Sequence, residues 1–383
     1  MFKKKRKIVF VITARASLPR IRTVISSCKK DKSLLVSIVV AASMISNKYG
    51  NVHDKLKNFG FDYDWLINSL HDDERISSQP KTTGNMICEL ATFFENSKPD
   101  AVVTIADRYE TIATAIASSY MNIPLIHILG GEVTGNIDEK VRHSITKLAD
   151  FHFVSNKDSY ERVLKMGENK QNIFNTGCPS IDVAKESKLI KLHDIKLNGV
   201  GPKIDLRDPY VVVLQHSDTN RFEQSRHDVN ILLKAIKKLN CQVIWFWPNP
   251  DAGTSSLAEG IRSFRELDDV ENIHFLKHLD DMKFLKLIGN SKCLIGNSSV
   301  GIRECAYLGV PVVNIGFRQE NRLRSHNVHN VDLDSEKIYI EIIKQIKIGK
   351  YKSSLIYGTG GSGKKIAKKL SEIKLTFKKQ IVY

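Results

Sequence analysis

At 383 residues the chain exceeds the roughly 100–200 residues of one typical domain, so two cores are expected and a mini-protein held by disulfides or a metal is excluded. Hydrophobic residues at 42% and charged residues at 26%, with 22 glycines and 10 prolines, exclude collagen-like and disordered chains. A formal charge of +16 would suit nucleic acid, but twelve lysines against three acids lie in 336–383, where terminal lysines solvate a surface without the interleaved aromatics that stack bases. No nucleic-acid partner is expected.

Taken in chain order, the start imitates a secretory signal: basic residues, an apolar stretch and Ala14-Arg15-Ala16. The apolar stretch 8–12 is shorter than the ~7 or more residues of a signal core, and Arg15 follows at once. No run approaches the ~18 apolar residues of a membrane span, so a cytoplasmic protein without membrane insertion is expected. Cys28, Cys88, Cys178, Cys241, Cys293 and Cys305 are scattered, with no C-x-x-C pair or zinc-type spacing, and read as reduced, mostly buried thiols.

Short apolar, β-branched runs at 7–14, 34–42, 101–105, 124–129 and 151–155 alternate with stretches of helical period at 19–27, 85–96, 108–121, 138–148 and 158–166. Runs apolar on both faces suit a parallel sheet covered by helices on each side, and the alternation is a βαβ series. A polar, lysine-bearing stretch over 185–208 reads as a linker. The pattern then restarts, with strands at 210–214, 241–246, 273–276, 292–295 and 311–315 and helices near 222–238, 257–266, 282–288 and 301–307. The expected fold class is α/β, two Rossmann-like doubly wound parallel-sheet domains with an interdomain cleft. The domains are placed at 1–190 and 209–365, with a linker at 191–208 and a C-terminal helix and tail at 366–383. Ligands of such sheets lie beyond the carboxyl ends of the strands.

The residues that could carry chemistry follow the predicted strands. Thr13-Ala-Arg15-Ala-Ser17-Leu-Pro19-Arg20 lacks the Gly-x-Gly-x-x-Gly fingerprint, which disfavours hydride transfer on NAD. Arg15 and Arg20 bracket a helix start, where free N–H groups favour an anion, although two solvated arginines at a helix end fit equally well. Asp107-Arg108-Tyr109-Glu110 follows the third predicted strand, and Gly130-Gly131-Glu132 with Asp138-Glu139 follows the fourth. Clustered carboxylates raise one another's pKa and supply a general base and a general acid. Asp138 also suits a helix start, and His143 on the same helix suits a structural hydrogen bond as well as a ligand contact.

In the second half His216 follows one strand and Trp247-Pro248-Asn249 the next. Gly296-Asn297-Ser298-Ser299-Val-Gly301-Ile-Arg303-Glu304 is the sharpest phosphate signal, with glycines for close approach, two hydroxyls and a helix start; Glu304 could accept bonds from ribose hydroxyls. Arg318 adds a guanidinium. Gly358-Thr-Gly-Gly-Ser-Gly363-Lys364-Lys365 almost matches a Walker A loop, but Lys365 replaces the Mg²⁺-holding hydroxyl and no buried strand precedes it, so it reads as a glycine-rich entry to the last helix.

Gly130-Gly-Glu-Val-Thr-Gly135, Arg142-His-Ser-Ile-Thr-Lys147, Pro248-Asn-Pro-Asp-Ala-Gly253, Gly296-Asn-Ser-Ser299 with Arg303-Glu304, and Asn314-Ile-Gly-Phe-Arg-Gln319 together resemble the hydrolysing UDP-N-acetylglucosamine 2-epimerases, over about 8–330. The resemblance implies a GT-B-like fold and a nucleotide-sugar substrate. It implies loss of the C2 proton with anti elimination of UDP, then hydration to N-acetylmannosamine, in sialic-acid-type sugar synthesis, with no cofactor and no metal. It makes Asp107, Glu132, Asp138 and His216 the catalytic groups. Arg15, Arg20, Arg108, His143, Asn249, Ser298, Ser299, Glu304 and Arg318 would hold the UDP-sugar. A homo-oligomer, dimer or tetramer, is expected. The alternatives are the same reaction on a UDP- or GDP-linked 2,4-diacetamido sugar, as in legionaminic-acid routes, a non-hydrolysing epimerase, and a GT-B glycosyltransferase. The chain departs from the family pattern at Ala106, at Leu129 and throughout 14–19.

Overall fold

The structure, a computed structural model, describes residues 5–46, 52–71, 75–105, 108–134, 137–218, 222–248, 254–267 and 272–382. The chain divides into two compact units, Met1–Glu132 with Ile137–Asp182 and Gly358–Tyr383, and Val133–Asn136 with Val183–Tyr357. In the first unit β1 (Arg6–Ile12), β2 (Leu34–Ala41), β3 (Trp65–Ile67), β4 (Ala101–Ile105), β5 (Leu125–Ile128), β6 (Phe151–Val154) and β7 (Ile173–Asn175) form a parallel sheet in the order β3-β2-β1-β4-β5-β6-β7. In the second, β8 (Tyr210–Leu214), β9 (Gln242–Phe246), β10 (Ile273–Leu276), β11 (Leu294–Gly296), β12 (Val312–Ile315) and β13 (Val328–Val331) are ordered β10-β9-β8-β11-β12-β13. Both are Rossmann-type sheets, as the alternating pattern predicts.

The central strands are apolar on both faces because helices cover both. Ile8 to Ile12 are at most 1% exposed, with β2 and β4 paired on either side of β1. The helix Leu18–Lys30 buries Leu18, Ile21, Val24, Ile25 and Cys28, the i, i+3, i+4 spacing of an amphipathic helix. Pro19 lies in its first turn, where an N–H would have no intrahelical acceptor anyway.

The last helix, Ser362–Glu372, packs on Leu18–Lys30 and so belongs to the first unit. A side chain at Gly363 would come within 2.5 Å of the Thr23 carbonyl oxygen, so only glycine permits the close approach. The Asp182 carboxylate accepts the N–H groups of Ser362 at 2.9 Å and Gly363 at 2.8 Å. An acid thus stands where a Walker A loop would hold phosphate.

The polar stretch read as a linker lies on the second unit. Ile195 is buried there, Leu192, Leu197, Ile204 and Leu206 pack on the same core, and Val200 bridges Phe275 of β10. Its apolar residues are irregularly spaced among lysines, so no period announces them. Four of the six cysteines are buried, Cys241 is partly so and Cys88 is exposed. Among the described residues no helix is long and apolar enough to cross a membrane.

Candidate active site

In each sheet the strand order reverses beside the central strand, between β1 and β4 and between β8 and β11, and the loops leaving those carboxyl ends are where ligands of this fold bind. In the first unit Arg15 lies in a 3₁₀ turn and donates to the Ser46 carbonyl oxygen at 2.6 Å. Arg20 occupies the first turn of Leu18–Lys30 and is half-buried. Arg108 donates through Nε to Glu110 Oε1 at 2.9 Å and lies 5.8 Å from the Tyr109 ring centroid. Asp107, read as a catalytic carboxylate, falls outside the described residues.

Glu132 lies in the loop after β5 and is 5% exposed. Its Oε1 accepts the Ser155 hydroxyl at 2.7 Å, and its backbone oxygen accepts Arg142 at 3.0 Å. Arg142 is buried on the helix Ile137–Leu148, whose first turn carries Asp138. The structure therefore brings together the Glu132 loop and the Asp138 helix, with a guanidinium between them. His143, one residue on, lies 3.5 Å from Glu139. Burial and then Arg142 hold its pKa below the ordinary imidazole value, against Glu139, so it is neutral at pH 7.

In the second unit Asn297 is the hub. It accepts the His216 N–H at 2.8 Å, returns a bond to the His216 carbonyl oxygen at 2.8 Å, and its own carbonyl accepts Gln319 at 2.9 Å and Arg318 at 3.4 Å. The Asn297 carboxamide thus ties the loops after β8 and β11, its backbone carbonyl oxygen ties in the loop after β12, and a concavity opens there between Gln215, His216, Asp218, Asn297, Gly316 and Arg318. Asn297 and Gln319 were assigned no role from sequence. The available signal was a carboxamide directly after a strand, since its separate donor and acceptor atoms suit it to bond both groups of a neighbouring backbone.

Ser298 accepts the Val300 N–H at 3.4 Å and Ser299 accepts Arg303 at 3.0 Å. The single helix expected over 301–307 is instead two short helices, Ser299–Ile302 and Glu304–Leu308, broken at buried Arg303. So short a helix sums few peptide dipoles, which leaves hydroxyls and Arg318 as the main groups for an anion. Glu304 is 4% exposed, and its Oε2 has no hydrogen-bond partner among the described residues. Asn249 falls outside the described residues. Among those described, no cluster of three or more His, Cys, Asp or Glu is placed to hold a metal ion.

The sequence profile of the UDP-N-acetylglucosamine 2-epimerase family matches residues 26–371. The chain belongs to that family. It is 31% identical to the UDP-N,N'-diacetylbacillosamine 2-epimerase (hydrolyzing) of Legionella pneumophila, over 97% of each chain. It is also 31% identical to the GDP/UDP-N,N'-diacetylbacillosamine 2-epimerase (hydrolyzing) of Campylobacter jejuni, over 89% of each. Among solved structures, the Neisseria meningitidis UDP-GlcNAc 2-epimerase bound to UDP-GlcNAc aligns with a TM-score of 0.78 at 21% identity, over 95% of this chain and 99% of that one. The epimerase family thus shares this pair of parallel-sheet domains, a GT-B-type fold.

Proposed function

We propose that the protein is a hydrolysing 2-epimerase acting on a UDP-linked 2-acetamido sugar. The observation that carries this reading is buried Glu132, its carboxylate held by Ser155 and its backbone oxygen by Arg142 of the helix that carries Asp138 in its first turn. A weakly acidic C2–H needs a base held this firmly and shielded from water. A carboxylate takes the C2 proton, the electron pair forms the C1–C2 double bond, and the C1–O bond breaks to release UDP. Water then adds its hydroxyl to C1, and C2 receives a proton on the opposite face, giving the free 2-epimeric sugar.

Asp107, Glu132 and Asp138 are the acid–base groups, with His216 beside them in role. Arg15, Arg20, Arg108, Ser298, Ser299 and Arg318 serve the diphosphate, whose charge grows as it leaves. His143, being neutral, offers a hydrogen bond rather than charge, and Asn249 serves the nucleotide. Glu304 fits the ribose: a buried carboxylate oxygen left unpaired costs about 1–3 kcal/mol or more, and a ribose hydroxyl would supply the missing donor. The relatives' names favour a 2,4-diacetamido sugar as the substrate. The motif likeness favours UDP-N-acetylglucosamine, with N-acetylmannosamine as product, as a second reading.

Proton NMR in D₂O without added metal tests both. Free UDP together with a C2-deuterated free sugar is the expected outcome, and the substrate consumed chooses between the two sugars. A nucleotide-linked epimer would mean a non-hydrolysing enzyme, and no reaction with either sugar would sink the proposal.

A further inference from the structure

The first unit buries a second set of charges that the reading above does not use. Glu168 is 3% exposed, lies 3.0 Å from His152 Nε2, and accepts Lys147 Nζ at 2.7 Å. Lys379, in the tail beyond the last helix, reaches the same carboxylate at 2.6 Å. Its Nζ also donates to the carbonyl oxygens of Thr146 at 3.0 Å and Ala149 at 2.5 Å. An ammonium group has three donors, and here all three have acceptors. Thr146 lies in the last turn of Ile137–Leu148, where carbonyls have no intrahelical partner and a cation is favoured. The tail is pinned again where the Val382 N–H meets the Gly167 carbonyl oxygen at 2.9 Å.

The same turn continues to the Glu132 loop. Thr146 Oγ1 is 3.2 Å from His127 Nδ1, and a β-carbon at Gly130 would come within 2.8 Å of His127 and 3.1 Å of Thr146. The loop that carries Glu132 therefore rests on this turn, and Arg142 on the same helix donates to the Glu132 carbonyl oxygen. We propose that Lys379 is a positioning residue: seated on Glu168, Thr146 and Ala149, it fixes the C-terminal turn of Ile137–Leu148 and through it Glu132 and Asp138. Its effect on turnover rests on the epimerase reading; its hold on the helix does not.

The test is Lys379→Met in the full chain, with Glu168→Gln as a gentler second variant that keeps the shape and an acceptor but not the charge. Hydrogen–deuterium exchange should rise in peptides covering 141–149, and kcat should fall by about 10- to 100-fold, the scale of a ~1 Å misplacement. UDP affinity by calorimetry should change far less than kcat, because the acceptors of Lys379, which are Glu168, Thr146 and Ala149, include none of the groups assigned to the diphosphate. Unchanged exchange in both variants overturns the socket. Raised exchange with unchanged kcat overturns the positioning role and reduces the tail to a stabilising strap. If the unsubstituted protein turns over no nucleotide sugar, the epimerase reading fails while the exchange measurement still decides whether Lys379 holds the helix.

Discussion

The two units share a strand order and differ in what braces their loops. Around the first sheet the bracing is charged: Arg142 on the Glu132 carbonyl oxygen, Arg162 on that of Gly131, and Lys147 and His152 on Glu168. Around the second, neutral amides do much of it, with Asn297 between β8 and β11, Gln319 on Asn297, Asn327 on the Val310 carbonyl oxygen at 2.8 Å and Asn314 on Asn330 at 2.9 Å, joined by Arg318 on Asn297 and Arg324 on Gln319. A loop that must hold its own carboxylate out of water needs cations nearby, because an unpaired buried charge is expensive. A loop that receives a diphosphate, the role proposed for the second unit, needs donors already in place. On the proposed function, one architecture carries two chemistries, decided by loop residues rather than by the sheet.

The largest effect expected to break that division is at Glu132. Glu132→Gln should lower turnover by about 10²- to 10⁴-fold, the usual contribution of a general acid–base group, with UDP affinity nearly intact by calorimetry. A matching loss of UDP affinity would show that the carboxylate loop is part of the nucleotide site and erase the distinction. Next comes Gly296→Ala, where φ is +127° and a β-carbon would lie 2.2 Å from the Leu214 carbonyl oxygen. Strain and overpacking together should destabilise the second unit by on the order of 3 kcal/mol, read from its denaturation midpoint. A near-neutral result would mean that β8 and β11 can part there without penalty. Glu304→Ala should weaken UDP binding by about 10- to 100-fold, the worth of a hydrogen bond to a charged group, with kcat little changed. Unaltered affinity would remove Glu304 from the ribose.

The inner strands were legible because they are buried on both faces and therefore read as unbroken apolar runs. β3, β7 and β13 were not, and they are edge strands: Trp65 and Leu66 of β3 are 46% and 40% exposed, and no residue of β13 is fully buried. A short edge strand that is not buried leaves neither a run nor an alternation long enough to see, whereas β10, also at an edge, is buried throughout and was legible. The break at Arg303 was hidden for a different reason, since a buried arginine inside a helical pattern looks like a solvated one until its contact with Ser299 is known. Lys379 was hidden most thoroughly: within a lysine-rich tail it is one cation among many, and its acceptors at 146, 149 and 168 lie more than two hundred positions earlier. For Asp107 and Asn249, which lie outside the described residues, the assignment rests on motif position alone.

The smallest expected effect sharpens the comparison most directly, because it sets charged bracing against neutral bracing by pH alone. Burial holds the imidazoles of His127 and His152 below their ordinary pKa, His152 despite its bond to Glu168, and His143 follows in the same direction. Below pH ~6.5 the unfolded chain protonates these histidines more readily than the folded chain does, so the unfolded state binds more protons and stability falls, by up to about 1.4 kcal/mol per pH unit for each of buried His127 and His152 and by less for partly exposed His143. Asp150 opposes them, since burial lifts its carboxyl to about 6 and below that pH the folded state gains the proton instead. Asp150 therefore offsets about one histidine once the pH passes through 6, so the loss goes on below that pH but is smaller than the histidines alone would give. Glu168 lies outside this window: burial pushes it up, but bonds from His152, Lys147 and Lys379 outweigh that and bring it to about 2, so its contribution is lost only in strong acid. In the second unit Tyr210, Cys293 and Cys305 are displaced by burial, all upward, and stay neutral throughout. Trp65 is the first unit's tryptophan, and Trp245 and Trp247 belong to the second, so fluorescence of the full chain and of Trp65→Phe separates the two transitions. Between pH 7.5 and 5.5 the denaturation midpoint seen by Trp65 should fall while that seen by Trp245 and Trp247 holds; equal shifts would mean that the bracing makes no difference to how the two units unfold.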